Sequence, residues 1–321
     1  MSLPQDALTP VERSPAYARR RLRVELRRLR ERLGPALTQR SVGERLGWSP
    51  SKLMRIEKGH VRVRQTDLEA LLRLYGVEHD PLAAELLGWQ RLGRGPASHT
   101  ASYREVLSKT FADYLDEEEA AATIRAYEPM LIPGPLQTPA YARAALLRFA
   151  PLAAAAAAGA GRGDGDAAHI PAEAIDRRVE VRQLRQRLLT ERRGLNGVFV
   201  VTEAALRLWV GNERGNRELM VEQLEHLRAL NRDYDNIDIH VMPESAGLFS
   251  PLMLSPFVVL EFDDGELLML RETLPESEMI REDSVEVSTA RDAFEDMKAL
   301  AAPPESLDAF LDAAIGRIAP A

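Results

Sequence analysis

Between Gln39 and Lys58 the chain places side chains suited to one kind of chemistry, the recognition of a nucleic-acid duplex. Arg40, Lys52, Arg55 and Lys58 are cations able to neutralise phosphates, and an arginine can also bond two acceptors on a guanine edge. Gln39, Ser49 and Ser51 offer short hydrogen-bonding groups, and Met54 an apolar contact. Their spacing fits two short helices. Val42, Leu46, Leu53 and Ile56 recur so as to face inward, which leaves Gln39, Arg40, Ser51, Lys52, Met54, Arg55 and Lys58 outside. Gly43 is expected where crossing helices demand a small residue. Thr38 caps the first helix and Gly47 stops it; Ser49 caps the second, Pro50 fits its first turn, and Gly59 supplies the left-handed C′ position. The pattern from Thr38 to Gly59 is that of a helix-turn-helix.

Catalytic constellations are the rival. The histidines (His60, His79, His99, His169, His226, His240) show no metal-ligand spacing, cysteine does not occur, and neither a Gly-rich phosphate loop nor a Gly-x-Ser-x-Gly elbow is present. Glu117, Glu118 and Glu119 are adjacent on a helix, point in different directions, and read as a solvated charge run. Asp263 and Asp264 belong to a turn with Gly265. His240, alternating with Ile239 and Val241, is expected on the polar face of a strand. No catalytic residue, metal site or cofactor is expected, and the protein is read as a non-enzyme.

The net charge of −7 is unevenly placed. Residues 11–75 hold 17 Lys and Arg against 7 Asp and Glu, and residues 76–321 hold 25 against 41. A basic head on an acidic body confines nucleic-acid binding to the head. At 45% hydrophobic and 28% charged, 321 residues suffice for two globular domains. Without a span-length apolar run or a signal-peptide pattern, no membrane association is expected and the location expected is cytoplasmic.

The elements that position the recognition set follow from apolar periodicity. Leu22, Leu26, Leu29 and Leu33 predict a first helix over 16–33, with the arginines from Arg19 to Arg32 as its solvated flank. Thr66 to Glu69 reads as a capping box for a fourth helix bearing Leu68, Leu71, Leu72 and Tyr75, and Asp80-Pro81 caps a fifth. Val61 to Arg64 reads as an extended basic loop. The expected organisation is a disordered start (1–15), an all-α five-helix DNA-binding domain (16–90), a linker (91–100), and an α+β domain (101–321) with a mixed or antiparallel sheet and flanking helices. Within the last, 153–168 is rich in Ala and Gly and reads as a flexible insertion. An arginine-bearing helix follows with Ile175, Val179, Leu184 and Leu188 inward and Arg177, Arg178, Arg182, Arg185 and Arg187 outward. Strands are expected at 198–201, 237–242, 257–262 and 267–271, with an amphipathic helix from Leu307 to Ile318.

The run from Leu37 to Gly59, L-T-Q-x-x-x-G-x-x-L-G-W-S-x-S-K-L-x-R-I-E-x-G, resembles the helix-turn-helix of XRE-type, lambda-repressor-like regulators. That resemblance implies that Gln39 bonds a phosphate, that Pro50, Ser51 and Arg55 face base edges, and that Lys52 faces the backbone. Pro50 departs from the pattern because it offers no side-chain hydrogen bond, so base reading falls mainly on Ser51, Met54 and Arg55. A second stretch, Tyr127-Glu128 through Ile132-Pro133-Gly134-Pro135-Leu136-Gln137-Thr138 to Tyr141-Ala142-Arg143, is similar to the signature of a domain that follows the XRE head in many actinobacterial regulators, with Pro135 in place of the usual Leu. The resemblance implies an antitoxin-like regulator of double-stranded operator DNA, encoded beside a small companion protein that its C-terminal domain binds. A small-molecule sensor and a scaffold without DNA binding are the alternatives. A homodimer is expected on an inverted repeat. Tyr127, Pro133, Pro135, Leu136, Gln137 and Tyr141 are expected to border the partner or ligand groove, because the proline-broken loop carries more apolar surface than a connection needs.

Overall fold

A computed structural model describes residues 14–49, 51–95, 101–159, 171–210, 216–271, 278–281 and 284–318. The chain divides into two compact units, Met1–Ala101 with Leu115–Ala120, and Ser102–Tyr114 with Ala121–Ala321. The short piece Leu115–Ala120, read above as part of the α+β domain, thus packs with the head.

The first unit contains α1 (Pro15–Arg32), α2 (Gln39–Leu46), α3 (Lys52–Glu57), α4 (Gln65–Leu74) and α5 (Pro81–Leu92). Its core gathers Leu22, Leu26 and Leu29 of α1, Val42 of α2, Leu53 and Ile56 of α3, Leu68, Leu71 and Leu72 of α4 with Tyr75, and Ala83 and Leu86 of α5. Apart from Ala83, these are apolar positions that helical spacing marked in the sequence; Leu33, expected on the same stripe of α1, is instead its C-cap residue and is exposed. The ends differ from expectation at three places. Ser14 lies inside the fold, its hydroxyl capping Ala16 and Tyr17 N–H so that α1 starts at Pro15; the remainder of the expected disordered start lies outside the described residues. The expected capping box is not formed: α4 begins at Gln65 with Arg64 at its N-cap, and Asp67 is drawn to Lys52. Asp80 does cap α5, accepting from Leu82 N–H at 2.8 Å, but the helix continues past Gly88 to Leu92 and shortens the linker.

In the second unit a six-stranded sheet has the order β3-β2-β1-β4-β5-β6. Strands β1 (Thr123–Glu128), β2 (Asn196–Thr202) and β3 (Ile237–Met242) are parallel; β4 (Phe257–Glu261), β5 (Leu267–Arg271) and β6 (Glu278–Arg281) continue antiparallel from β1. The helices are α6 (Lys109–Glu118), whose last turn belongs to the first unit, then α7 (Pro139–Gly159), α8 (Ala172–Glu191), α9 (Glu203–Arg207), α10 (Asn216–Asp233), α11 (Val285–Leu300) and α12 (Leu307–Ile318). One sheet face, with Tyr127, Val200, Met242, Phe257, Val259 and Met269, packs on Val287, Ala290, Phe294 and Met297 of α11. Gly265, at φ 81°, turns the β4–β5 hairpin, and Asp264 accepts from Glu266 N–H at 3.0 Å. β6 had no sequence signal, being four residues with a charge at each end.

Several expectations are corrected by burial. Residues 153–159 continue α7 and are helical; the rest of the expected insertion lies outside the described residues. Arg185 is not outward but buried, its guanidinium over the Phe111 and Tyr114 rings. His240 is buried on a strand covered on both faces, and desolvation lowers its pKa.

The largest correction concerns the proline-broken segment. Pro133, Pro135, Leu136, Gln137, Tyr127 and Tyr141 are all buried, so they border no accessible groove. The kink, a 3-10 turn over Gly134–Leu136, is enclosed by glutamines. Gln137 donates to Ile132 O at 2.7 Å, Gln186 to Pro135 O at 2.9 Å, and Gln183 to Gln137 O at 3.0 Å. Gln223 donates to Leu136 O at 2.8 Å and accepts from Thr138 N–H at 2.7 Å, and the Tyr141 hydroxyl accepts from Ile132 N–H. A turn that cannot satisfy its own carbonyls is buried only because side chains from α8 and α10 bond them. Leu136→Asp therefore costs ~3 kcal/mol or more by placing a charge at a fully buried site, and loss of cooperative thermal unfolding is the expected observation.

The same network sets a pH dependence. Gln186 Nε2, already donating to Pro135 O, lies 2.9 Å from His226 Nε2, which must then be the acceptor. Burial lowers the His226 pKa below its ordinary 6.5, against the opposing charge of Glu222, and lowers that of His240 as well. Both rings are held neutral in the fold and gain protons more readily when unfolded. Their contribution to stability is therefore complete above about pH 6.5 and is lost as the pH falls below it. Melting temperatures recorded from about pH 7.5 down to pH 5 should fall less for the His226→Gln, His240→Gln double variant than for the native chain.

Candidate nucleic-acid interface

α2 and α3 are joined by a turn that both ends define. Thr38 Oγ1 accepts from Ser41 N–H at 3.1 Å and starts α2. Gly47, at φ 65°, ends it with a paired closure: Gly47 N–H to Glu44 O at 3.3 Å and Trp48 N–H to Gly43 O at 2.8 Å. α3 closes in the same way, with Gly59 at φ 73°, Gly59 N–H to Ile56 O at 3.0 Å and His60 N–H to Arg55 O at 2.8 Å. The start of α3 differs from expectation. Ser49 contributes its carbonyl, accepting from Lys52 N–H at 3.0 Å, while the N-cap position is Ser51 without a side-chain bond. Pro50 lies outside the described residues. Gly43 is buried but not compelled by a close helix crossing: an added Cβ would meet only turn carbonyls at 3.7 and 3.8 Å, ordinary contact.

Beneath this pair lies a charge cluster absent from the expected site. The side chain of Glu57 is 2% exposed. Arg30 of α1 donates to it through Nε and Nη2 at 2.7 and 2.9 Å, and Gln39 of α2 donates through Nε2 at 2.6 Å. The hydrogen bond to Glu57 raises the Arg30 pKa, and burial, with the Glu57 charge second, pushes the Tyr75 phenol up. The acid is legible in the R-I-E-x-G end of the motif, but its partner lies 27 residues upstream. The expected solvated flank of α1 is likewise corrected, since Arg20 and Arg23 are buried and Arg30 is held by Glu57.

The predicted contact residues separate into kinds. Ser49, Ser51 and Arg55 are exposed, Met54 and Lys58 half-buried. Arg40 is exposed and pairs only at the surface with Glu44. Gln39 keeps one amide hydrogen on Glu57, which fixes the direction of the other. Lys52 departs from expectation: its ammonium donates to Asp67 at 2.6 Å and sits 4.0 Å from the Trp48 ring centroid, so its charge is compensated inside the unit. Arg62 and Arg64, in the loop after α3, are exposed. At the foot of α2 an open groove is lined by Arg30, Glu31, Leu37, Thr38, Gln39 and Arg40. Among the described residues no group of His, Asp and Glu is arranged to hold a metal ion, and no helix is long and apolar enough to cross a membrane.

Two short helices with a shared turn, a compensated acid beneath them and arginines outside them define a helix-turn-helix DNA-binding domain. Residues 21–86 match the family model of a helix-turn-helix domain. Residues 111–312 match that of a domain of unknown function, DUF5753, and since this is more than half of the chain, the protein belongs to that family. No curated protein and no solved structure matches it. The protein is accordingly a DNA-binding regulator with a mixed-sheet C-terminal domain.

The closure of α3 gives a test. Gly59 and Gly76 have nearly the same backbone, φ 73° and 72°, but a Cβ on Gly76 meets open space whereas one on Gly59 would overlap the Arg23 guanidinium. Gly76→Ala should cost about 1–2 kcal/mol from the left-handed backbone alone. Gly59→Ala should cost clearly more in the same denaturation experiment, because Arg23 must also move.

Proposed function

We propose that the protein is a sequence-specific, homodimeric operator-binding regulator of the XRE type, antitoxin-like in arrangement, that acts by binding alone and takes its signal from a small companion protein held by the C-terminal domain. The observation that carries the DNA reading is the outer face of α3, where Arg55 and Ser51 are exposed and Met54 is half-buried while Leu53, Ile56 and Glu57 are fixed inward. Ser51, Met54 and Arg55 read base edges in this proposal. Gln39, Arg40, Ser49 and Lys58 meet phosphates, helped by the basic loop at Arg62 and Arg64. Lys52 is assigned to the fold rather than to DNA. One such head buries only about 600–1,000 Å² on DNA, which favours two copies on an inverted repeat.

The buried proline kink offers a companion no surface, whereas the carboxyl end of the parallel strands does, where connections in such sheets commonly meet ligands. There the turns after β1, β2 and β3 are tied together: Thr202 donates to Pro129 O at 2.5 Å, Arg207 to Glu244 at 2.7 Å, and Tyr127 OH to Met253 O at 3.1 Å. The same turns carry Met130, Leu208, Trp209, Leu248, Phe249 and Leu254, all exposed. Apolar side chains gathered at a sheet end suit a protein surface.

DNA from the chain's own promoter region tests the head. Arg55→Ala should weaken binding by roughly 1–3 kcal/mol and relax preference at one base position, whereas Arg40→Ala, at an exposed cation assigned to phosphate, should weaken all sequences alike. Native affinity in both variants would refute the assignment of α3 to the groove.

A further inference from the structure

Arg23 joins two places that the sequence holds far apart. Its guanidinium donates to Glu117 through Nη1 and Nη2, at 2.8 and 3.0 Å, and the same group lies against the backbone of Gly59, the residue that closes α3. Around this pair α1 grips the whole of the short returning segment. Arg20 is 3.7 Å from Glu117, Arg19 is 3.4 Å from Asp116, and the Ser14 hydroxyl donates to Glu119 at 2.7 Å. Glu117, Glu118 and Glu119 are buried, as are Arg20 and Arg23. The expectation of a solvated charge run is therefore wrong for this segment, and the reason is its basic counterpart on α1.

Charge and connectivity give the segment a second significance. The first unit holds 19 Lys and Arg against 15 Asp and Glu, and four of those acids are Asp116 to Glu119. Without them the head would be twice as positive. Both ends of the segment continue into the second unit, at Tyr114 and at Ala121, and β1, a central strand of the sheet, starts at Thr123.

We propose that Leu115–Ala120 is an intramolecular latch through which the second unit sets the position of α3. This rests on the reading of α3 as the recognition helix. With the segment seated, Glu117 holds Arg23 against the closing residue of α3 and fixes that end of the helix. With it withdrawn, Arg20 and Arg23 become buried cations lacking their carboxylate and must move towards water, which frees Gly59 and the basic loop beyond it. Withdrawal also removes four negative charges from the head, so attraction to any phosphate backbone rises while base-specific contact falls. The latch thus controls the ratio of operator to non-specific affinity. An ion pair serving stability alone would change the melting temperature and leave that ratio untouched.

The test uses the full chain and has a readout that needs no DNA. In Glu117→Gln, hydrogen exchange at the amides of Gly59 and His60, which close α3, should rise, and exchange in the distant α5 should not. With duplexes of equal length, promoter affinity should fall by at least about 5-fold, the lower end of ordinary coupling between sites, while affinity for random sequence holds or rises. Glu105→Gln, a charge change outside the latch, should alter neither. If Glu117→Gln does not fold, Asp116→Asn at the more accessible Arg19 pair carries the test, with smaller changes of the same sign. Unchanged exchange at Gly59 and His60 in the folded variant, or an unchanged affinity ratio, overturns the latch. Failure of the native chain to bind promoter DNA would instead overturn the function proposed above, and the exchange result would still decide the latch.

Discussion

A single carboxylate organises the DNA-binding head. Glu57 sits in a helix whose outer face is basic, yet its own side chain is turned into the interior, where an uncompensated charge costs several kcal/mol. Arg30 and Gln39 together compensate it, and they come from α1 and α2. Three helices therefore converge on one anion. Because the donors are directional, the cluster fixes not only that α3 packs on α1 but the rotation at which it does so. That rotation decides which side chains point outward.

The pattern recurs just past the same C-terminal end of α3, where Arg23 lies between Gly59 and Glu117. α3 is short, six residues, too short to be held by its own hydrogen bonds. Its stability comes from the buried Leu53 and Ile56, from the paired closure at Gly59, and from Arg30 and Arg23 of α1, which both reach its C-terminal end. In the C-terminal domain, glutamine amides do the equivalent task for an uncharged kink, bonding the carbonyls of Pro135, Leu136 and Gln137 that no regular ladder satisfies.

What the sequence made legible was whatever is local. Helical spacing of Leu22, Leu26 and Leu29, of Leu53 and Ile56, and of Leu68, Leu71 and Leu72 identified the core of the head, and the glycines at 47 and 59 marked its turns. Strand β3 was legible to the residue, and the Asp263-Asp264-Gly265 turn identified the β4–β5 hairpin. The errors share one cause: each polar side chain was judged by its neighbours in sequence, while its environment is set by a distant partner. Glu117 appears solvated until Arg23 is placed beside it, and Lys52 appears free for phosphate until Asp67 is. Leu136 was expected to border a groove because the glutamines that enclose its turn come from residues 46 to 87 positions away. For the same reason the organising role of Glu57 was not legible, although the acid itself stands in the R-I-E-x-G motif: its partner Arg30 lies 27 residues upstream.

The central claim is that the Arg30–Glu57 pair positions α3, and a double-mutant cycle tests it most directly. Arg30→Met alone and Glu57→Leu alone each leave a buried partner uncompensated, and each should lose ~3–5 kcal/mol of stability. The double variant should recover most of that stability, since two apolar groups of similar size can replace the pair, but not the promoter affinity, because the directional bonds that set the rotation of α3 are gone. Losses in stability that simply add, or full promoter affinity in the double variant, would contradict the account.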